Sequence, residues 1–271
     1  MRKSLFVGVC GLLLAGSLLA QGFSALVTPP RIEMAVKPGQ DARQIIEITQ
    51  MSPTPGRFRI YTNDWEMNAQ GGVQFFDELQ PDSCRPWVAL ERRELTIAGN
   101  SKVRFRIQVS PPLDAPVKEC RFAVMIEGLD TSAINSNGVG FPVSGRIGVI
   151  VYAGMDGTQA KLSVVGQSVV PSLEAKDRLP VLNVKNEGNA HGRLAGLLTG
   201  TDARGQRLDF SPSTLPILPG LTRPITLNIS PDPNAPKEAP LPIIAYPITI
   251  KGNLEWGGKA QAFEATFNLT Q

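Results

Sequence analysis

The chain has 271 residues, with 27 Lys and Arg against 24 Asp and Glu, a single histidine and a formal net charge of +3. The charges are scattered singly, which excludes the concentrated basic footprint of a nucleic-acid binder. The length suits two ordinary domains better than one.

The chain opens on an export signal. Arg2 and Lys3 precede an apolar stretch from Ser4 to Ala20, and the small residues Ala20 and Gly22 set a cleavage point before Phe23. Cleavage after Ala20 or Ala25 fits nearly as well. A transmembrane anchor is the competing reading. The stretch is marginally short for a bilayer, and no charged stop-transfer cluster follows it. Cys10 does not mark a lipoprotein, because the apolar run continues past it. Removing residues 1–22 takes away Arg2 and Lys3 and no acid, lowering the net charge from +3 to +1 and leaving about 249 residues. No membrane span is expected after processing.

Beyond the leader, apolar and polar residues alternate with the period of strands that bury one face. Phe58 and Ile60 alternate with Arg57, Arg59 and Tyr61. Val103, Phe105, Ile107 and Val109 alternate with Lys102, Arg104, Arg106 and Gln108. Phe122, Val124 and Ile126 follow Cys120, and Ile225, Leu227 and Ile229 alternate with Thr226 and Asn228. Turn chemistry separates these runs at Lys37-Pro38-Gly39, Ser52 to Gly56, Ala98-Gly99-Asn100, Asn186 to Asn189 and Leu218-Pro219-Gly220. No long helical period occurs. With 23 Pro and 26 Gly, the expected fold is all-β: two tandem immunoglobulin-like sandwiches. A weak internal repeat agrees. In both halves a tight turn leads into an alternating strand and a Pro-rich corner, ending at Ser110-Pro111 and at Ser230-Pro231, 120 residues apart. The expected division is a leader at 1–22, a first sandwich at 23–154 and a second at 155–271, joined near Gly154–Thr158.

Cys84 and Cys120 remain after processing, 36 residues apart. In an exported protein such a pair reads as a disulfide, with two buried free thiols as the alternative. Trp87, close to Cys84, reads as packing around that bridge.

Catalysis requires positioned acids, bases, nucleophiles or metals. His191 lies in Asn189-Ala190-His191-Gly192, which reads as a solvated turn. There is no G-x-S-x-G elbow, no Cys-x-x-Cys and no phosphate-cradling glycine loop. Glu91 to Glu94 reads as a solvated face. Asp202-Ala203-Arg204-Gly205 reads as a hairpin turn, since too few carboxylates follow for a calcium loop. The expectation is a non-enzyme with no cofactor and no metal.

The segment Val139 to Tyr152 stands out. Val139, Phe141 and Val143 alternate with Gly140, Pro142 and Ser144 after a polar loop, and Pro142 belongs at a sheet edge. One reading is an ordinary last strand covering its own core. The other is an edge strand lent to another protein, with main-chain bonds giving affinity and alternate side chains giving specificity. Together with Arg31 in the strand-like Leu26 to Ile32, Gly39 opening a second strand, Pro86 at a middle strand and the Arg146-Ile147 pair, this segment resembles the periplasmic pilus-assembly chaperones of the chaperone–usher pathway. The resemblance is strongest over the first half. It implies a periplasmic location, pilin-like subunits bound through Val139, Phe141 and Val143, and an outer-membrane usher as a further partner. It also implies a lysine two residues after Arg146, anchoring the subunit's terminal carboxylate together with Arg31. This chain has Gly148 there. Arg146 is two residues earlier on the same face, ~7 Å away, and either takes over the anchoring role or the anchor is absent. The competing class is a structural or adhesive envelope protein that binds glycan or peptidoglycan through exposed aromatics such as Trp65 and Trp256.

Overall fold

The computed structural model describes residues 23–68, 70–81, 83–129, 132–134, 140–142, 145–171, 178–231, 236 and 240–269. The expected leader, Val139 and Val143 lie outside them, and the side chain of Phe141 is likewise not described.

The first half contributes β1 (Ala25–Thr28), β2 (Arg31–Val36), β3 (Ala42–Gln50), β4 (Gly56–Met67), β5 (Val73–Phe76), β6 (Val88–Leu90), β7 (Glu94–Ile97), β8 (Lys102–Val109), β9 (Glu119–Gly128), β10 (Ser132–Ile134), β11 (Gly140–Pro142) and β12 (Arg146–Met155). One sheet runs β1-β3-β8-β6. The other runs β2-β12-β9-β4-β5, with β7 also on β4. Both turn their apolar residues inward: Ile46, Ile48, Phe105, Ile107 and Val109 from the first meet Ile60, Phe122, Val124, Val149 and Val151 from the second in one cluster. This is the sandwich that the alternating pattern predicts. Pro86 does not begin a strand; it sits in a single 3-10 turn, Arg85–Trp87, just before β6.

Two proline residues divide the first strand between the layers. β1 pairs antiparallel with β3, whereas β2, after Pro29-Pro30, pairs parallel with β12 in the opposite sheet. Prolines carry no N–H and cannot extend a ladder. The β2 pairing therefore begins at Ile150↔Arg31, with the Ile150 N–H donating to Pro30 O at 3.2 Å.

A disulfide joins Cys84 to Cys120, with Cα atoms 5.9 Å apart. Both cysteines are buried, and Trp87 packs partly buried against the same core.

β12 continues through Met155, and a turn at Asp156–Gly157 leads to the second half. There the strands are β13 (Leu162–Pro171), β14 (Arg178–Asn186), β15 (Leu198–Thr201), β16 (Arg207–Pro212), β17 (Thr222–Ile229), β18 (Ile248–Trp256) and β19 (Lys259–Phe267). They form one sheet in the order β13-β14-β17-β16-β15-β18-β19. It folds over because β17 gives Thr222–Thr226 to β14 and Leu227–Ile229 to β16. Leu182, Val184, Phe210, Ile225, Leu227 and Ile250 fill a second, separate core. The expected hairpin at Asp202 joins β15 to β16, and its carboxylate accepts the Arg204 and Gln206 N–H groups at 2.9 Å each.

Candidate functional site

Two features of the first sandwich's second sheet set it apart: a strand edge unpaired among the described residues and an outer face that meets the second sandwich. The edge belongs to β12. On one side β12 pairs with β9 along Arg146↔Glu127 to Gly154↔Glu119, while on the other β2 covers only Ile150 onward. Backbone direction alternates along a strand. The Gly145 carbonyl accepts from Gly128 on β9, and the Ile150 and Asp156 N–H groups donate to β2-side carbonyls. Even-numbered residues therefore aim at the β2 side, where among the described residues no strand faces the main-chain N–H and C=O of Arg146 and Gly148. β10 and β11 pair with each other as a separate two-stranded sheet, Ser132↔Pro142 to Ile134↔Gly140. Natural sheets usually bury, charge or shorten such an edge. Ile147 and Val149 point inward from it, and Arg146 and Gly148 outward.

The expected site residues fall into separate places. Gly140–Pro142 forms β11, paired with β10. Arg31 and Arg146 share the outer face, but Arg31 stands opposite Ile150, four residues past Arg146, or ~13 Å along the strand. Arg31 is bound to Glu33 at 2.9 Å. Between the two arginines lies Gly148, where a Cβ would come 2.7 Å from Phe75 Cζ and 3.1 Å from Met125 Sδ. An aromatic ring fills the space above Gly148.

The outer face beyond Ile150 docks against the second sandwich. Leu218 packs with Trp65, Ala123, Met125 and Tyr152. His191 is not the solvated turn residue its neighbours suggest. Its side chain is only 9% exposed, and its ring stacks on Tyr152 with centroids 3.8 Å apart. Its Nδ1 lies 2.5 Å from Glu119 Oε2, its backbone N–H donates to the same oxygen at 3.2 Å, and its Nε2 is 3.5 Å from Glu33 Oε1. Arg193 reaches the Glu33 carboxylate at 3.8 Å. Burial raises the Tyr152 pKa and lowers that of Arg193. No local motif marks His191, because its burial comes from loop 187–193 closing onto a different sheet. His191→Ala removes the stack and a charge-assisted contact, so the two sandwiches should uncouple. Calorimetry is expected to resolve one unfolding event into two, with the coupling reduced by about 1.5–3 kcal/mol.

Trp65, expected as an exposed aromatic, is 6% exposed and donates its indole N–H to Phe122 O at 3.1 Å. It is packed at the junction and presents no face for a sugar to stack on. Trp256 packs, half-buried, against the second core.

No protein-family model matches the sequence, and no curated protein does so. Among solved structures the chain is similar to one described as a chaperone–tip adhesin complex of CFA/I fimbriae biogenesis, at 10% identity and TM-score 0.49, covering 90% of this chain and 99% of that one. It is similar to the YadV chaperone at 12% identity and TM-score 0.47, covering 90% of this chain and 100% of that one. The CupB2 chaperone of Pseudomonas aeruginosa is similar at 10% identity and TM-score 0.46, with coverage of 90% and 100%.

Proposed function

We propose that this is an exported, periplasmic chaperone that holds pilin-like or other envelope subunits by strand addition at the open edge of β12. The observation that carries this reading is the row of main-chain groups at Arg146 and Gly148, without a strand partner among the described residues, on a strand otherwise built into a sandwich core. An extended segment laid there would gain main-chain hydrogen bonds from groups that already point outward. Side chains opposite Ile147 and Val149 would extend the first core, where Phe23 packs partly buried beside Gly145. Val139, Phe141 and Val143 precede this edge in sequence and supply the alternating apolar face in the same proposal. Arg31, committed to Glu33, stands at the end of the edge where β2 takes over.

Hydrogen exchange tests this directly. With a pilus subunit lacking its last strand co-expressed in the periplasm, the Arg146 and Gly148 amides should exchange rapidly in the free chain and slowly in the complex. Arg146→Pro removes one outward N–H and leaves the β9 ladder intact, so it should weaken retention roughly tenfold beyond Arg146→Ala. Equal exchange in free and bound chain, or equal retention by the two variants, would sink strand addition.

A further inference from the structure

A bowl of about 690 Å³ opens on the outer face of the same sheet, walled by Arg146, Arg93 and Arg85 and floored by Tyr61, Asn63 and Glu127. Most of its charges are already committed. Arg59 binds Glu127 at 2.5 Å, which raises the arginine's pKa. Glu94 stands 4.0 Å from Arg57. Arg85 donates to the Asp77 carbonyl at 2.8 Å and lies 3.5 Å from Asp64. The Asp77 carboxylate accepts the Asn63 amide at 2.8 Å. Among the described residues, the guanidinium groups of Arg93 and Arg146 have no hydrogen-bond or ion-pair partner. Asn63, 1% exposed, also keeps its Oδ1 buried without a partner. Among the described residues, the bowl is thus left with two free cations.

Resting on the strand-addition reading, we infer that this bowl receives an acidic side chain of the bound segment, held by Arg146 at the near rim and drawn by Arg93 across it. Directly paired residues share a face, with Cβ atoms ~5 Å apart. The residue opposite Arg146 therefore stands on the bowl's face, across β12 from Glu127, with Arg146 between it and the bowl. The edge ends where β2 begins at Ile150. In this inference the bound segment runs past Arg146, so the carboxylate belongs to an aspartate or glutamate side chain and not to a chain end. Arginine suits this role because its planar fork matches a carboxylate.

The test uses blocked heptapeptides of alternating valine and threonine with a central glutamate, their glutamine counterparts, and a glutamine version with a free C-terminus. The glutamate peptide should bind about tenfold more tightly than the glutamine peptide at low salt. This preference should vanish in Arg146→Ala, fall two- to threefold in Arg93→Ala and fade in 0.5 M salt, a chosen condition of roughly half-molar strength. Equal binding of the two blocked peptides overturns the inference. So does a free-ended glutamine peptide that matches the glutamate one, or a preference that survives Arg146→Ala. Strand addition is read separately. Protection of the Arg146 and Gly148 amides by every peptide without a glutamate preference keeps strand addition and removes the bowl. If no peptide protects those amides, N-acetylglutamate amide at millimolar concentration decides: side-chain NMR shifts at Arg93 and Arg146 support the bowl, and their absence overturns it.

Discussion

Asn186→Ala is expected to cost the second sandwich about 3–5 kcal/mol and to loosen its contact with the first. Asn186 is fully buried. Its Nδ2 donates to Ala190 O and Ile217 O at 2.8 Å each, and its Oδ1 accepts from Lys161 N at 3.1 Å and Gly188 N at 2.9 Å. One side chain thus satisfies four main-chain groups from three stretches of chain. Alanine leaves Lys161 N, Gly188 N and Ala190 O without that partner, while Ile217 O keeps the Gly192 N–H at 3.0 Å, and each buried unsatisfied group costs about 1–3 kcal/mol unless water reaches it. The loop so held is the one that carries Asn189 and His191 to the first sandwich, where the Asn189 carbonyl accepts the Glu119 N–H at 2.9 Å. Urea unfolding should therefore show a lower midpoint for the second sandwich, and exchange at the Glu119 amide should quicken with it. A midpoint shift worth less than about 1 kcal/mol would mean that water replaces the side chain fully.

The same region shows where sequence reading succeeds and where it stops. The runs at Val103–Val109 and Ile225–Ile229 alternate cleanly and become β8 and β17, since each buries one face. β4 is harder. From Asn63 to Trp65 three consecutive residues are buried. The outer face there is covered by Leu218 of the second sandwich, and a strand covered on both faces loses its period-two signal. Trp65, flanked by Asp64 and Glu66, therefore looks exposed in sequence. In fact, Asp64 is buried as well, accepting from Gln80 N at 2.9 Å and Ser83 Oγ at 2.8 Å. The Arg146-Ile147 segment is legible as a strand, but its open edge is not. The prolines at 29 and 30 are visible, yet which strand they leave unpaired depends on β2 finding β12 more than a hundred residues later. His191 follows the same logic, because residues far apart in sequence determine its burial. Arg93 falls in the Glu91–Glu94 run read as a solvated face; what distinguishes it is a guanidinium without a partner among the described residues, and that is a property of the assembled sheet.

Replacing Cys84 and Cys120 together by alanine is the other change expected to be severe, lowering stability of the first sandwich by ~3–4 kcal/mol. The bridge closes a span of 36 residues, and the chain-entropy relation for a loop of that length gives this value. Alanine isolates the crosslink better than serine does, because both positions are buried and a hydroxyl there would need a partner. The loss should not be uniform. Cys84 ends the stretch from Asp77 to Ser83 that crosses the outer face and carries the Asp77 and Glu78 carbonyls bound by Arg85. Released from β9, that stretch should open before the sandwich core does, taking the wall of the bowl with it. Amides near Gln80 and Ser83, the first of which donates to Asp64, should then exchange faster than those of β8, while the unfolding midpoint of the second sandwich stays within error of the parent chain. If β8 and the 77–83 stretch lose protection together, the bridge stabilises the whole sandwich by constraining its unfolded state, and does not pin this crossing in the folded one.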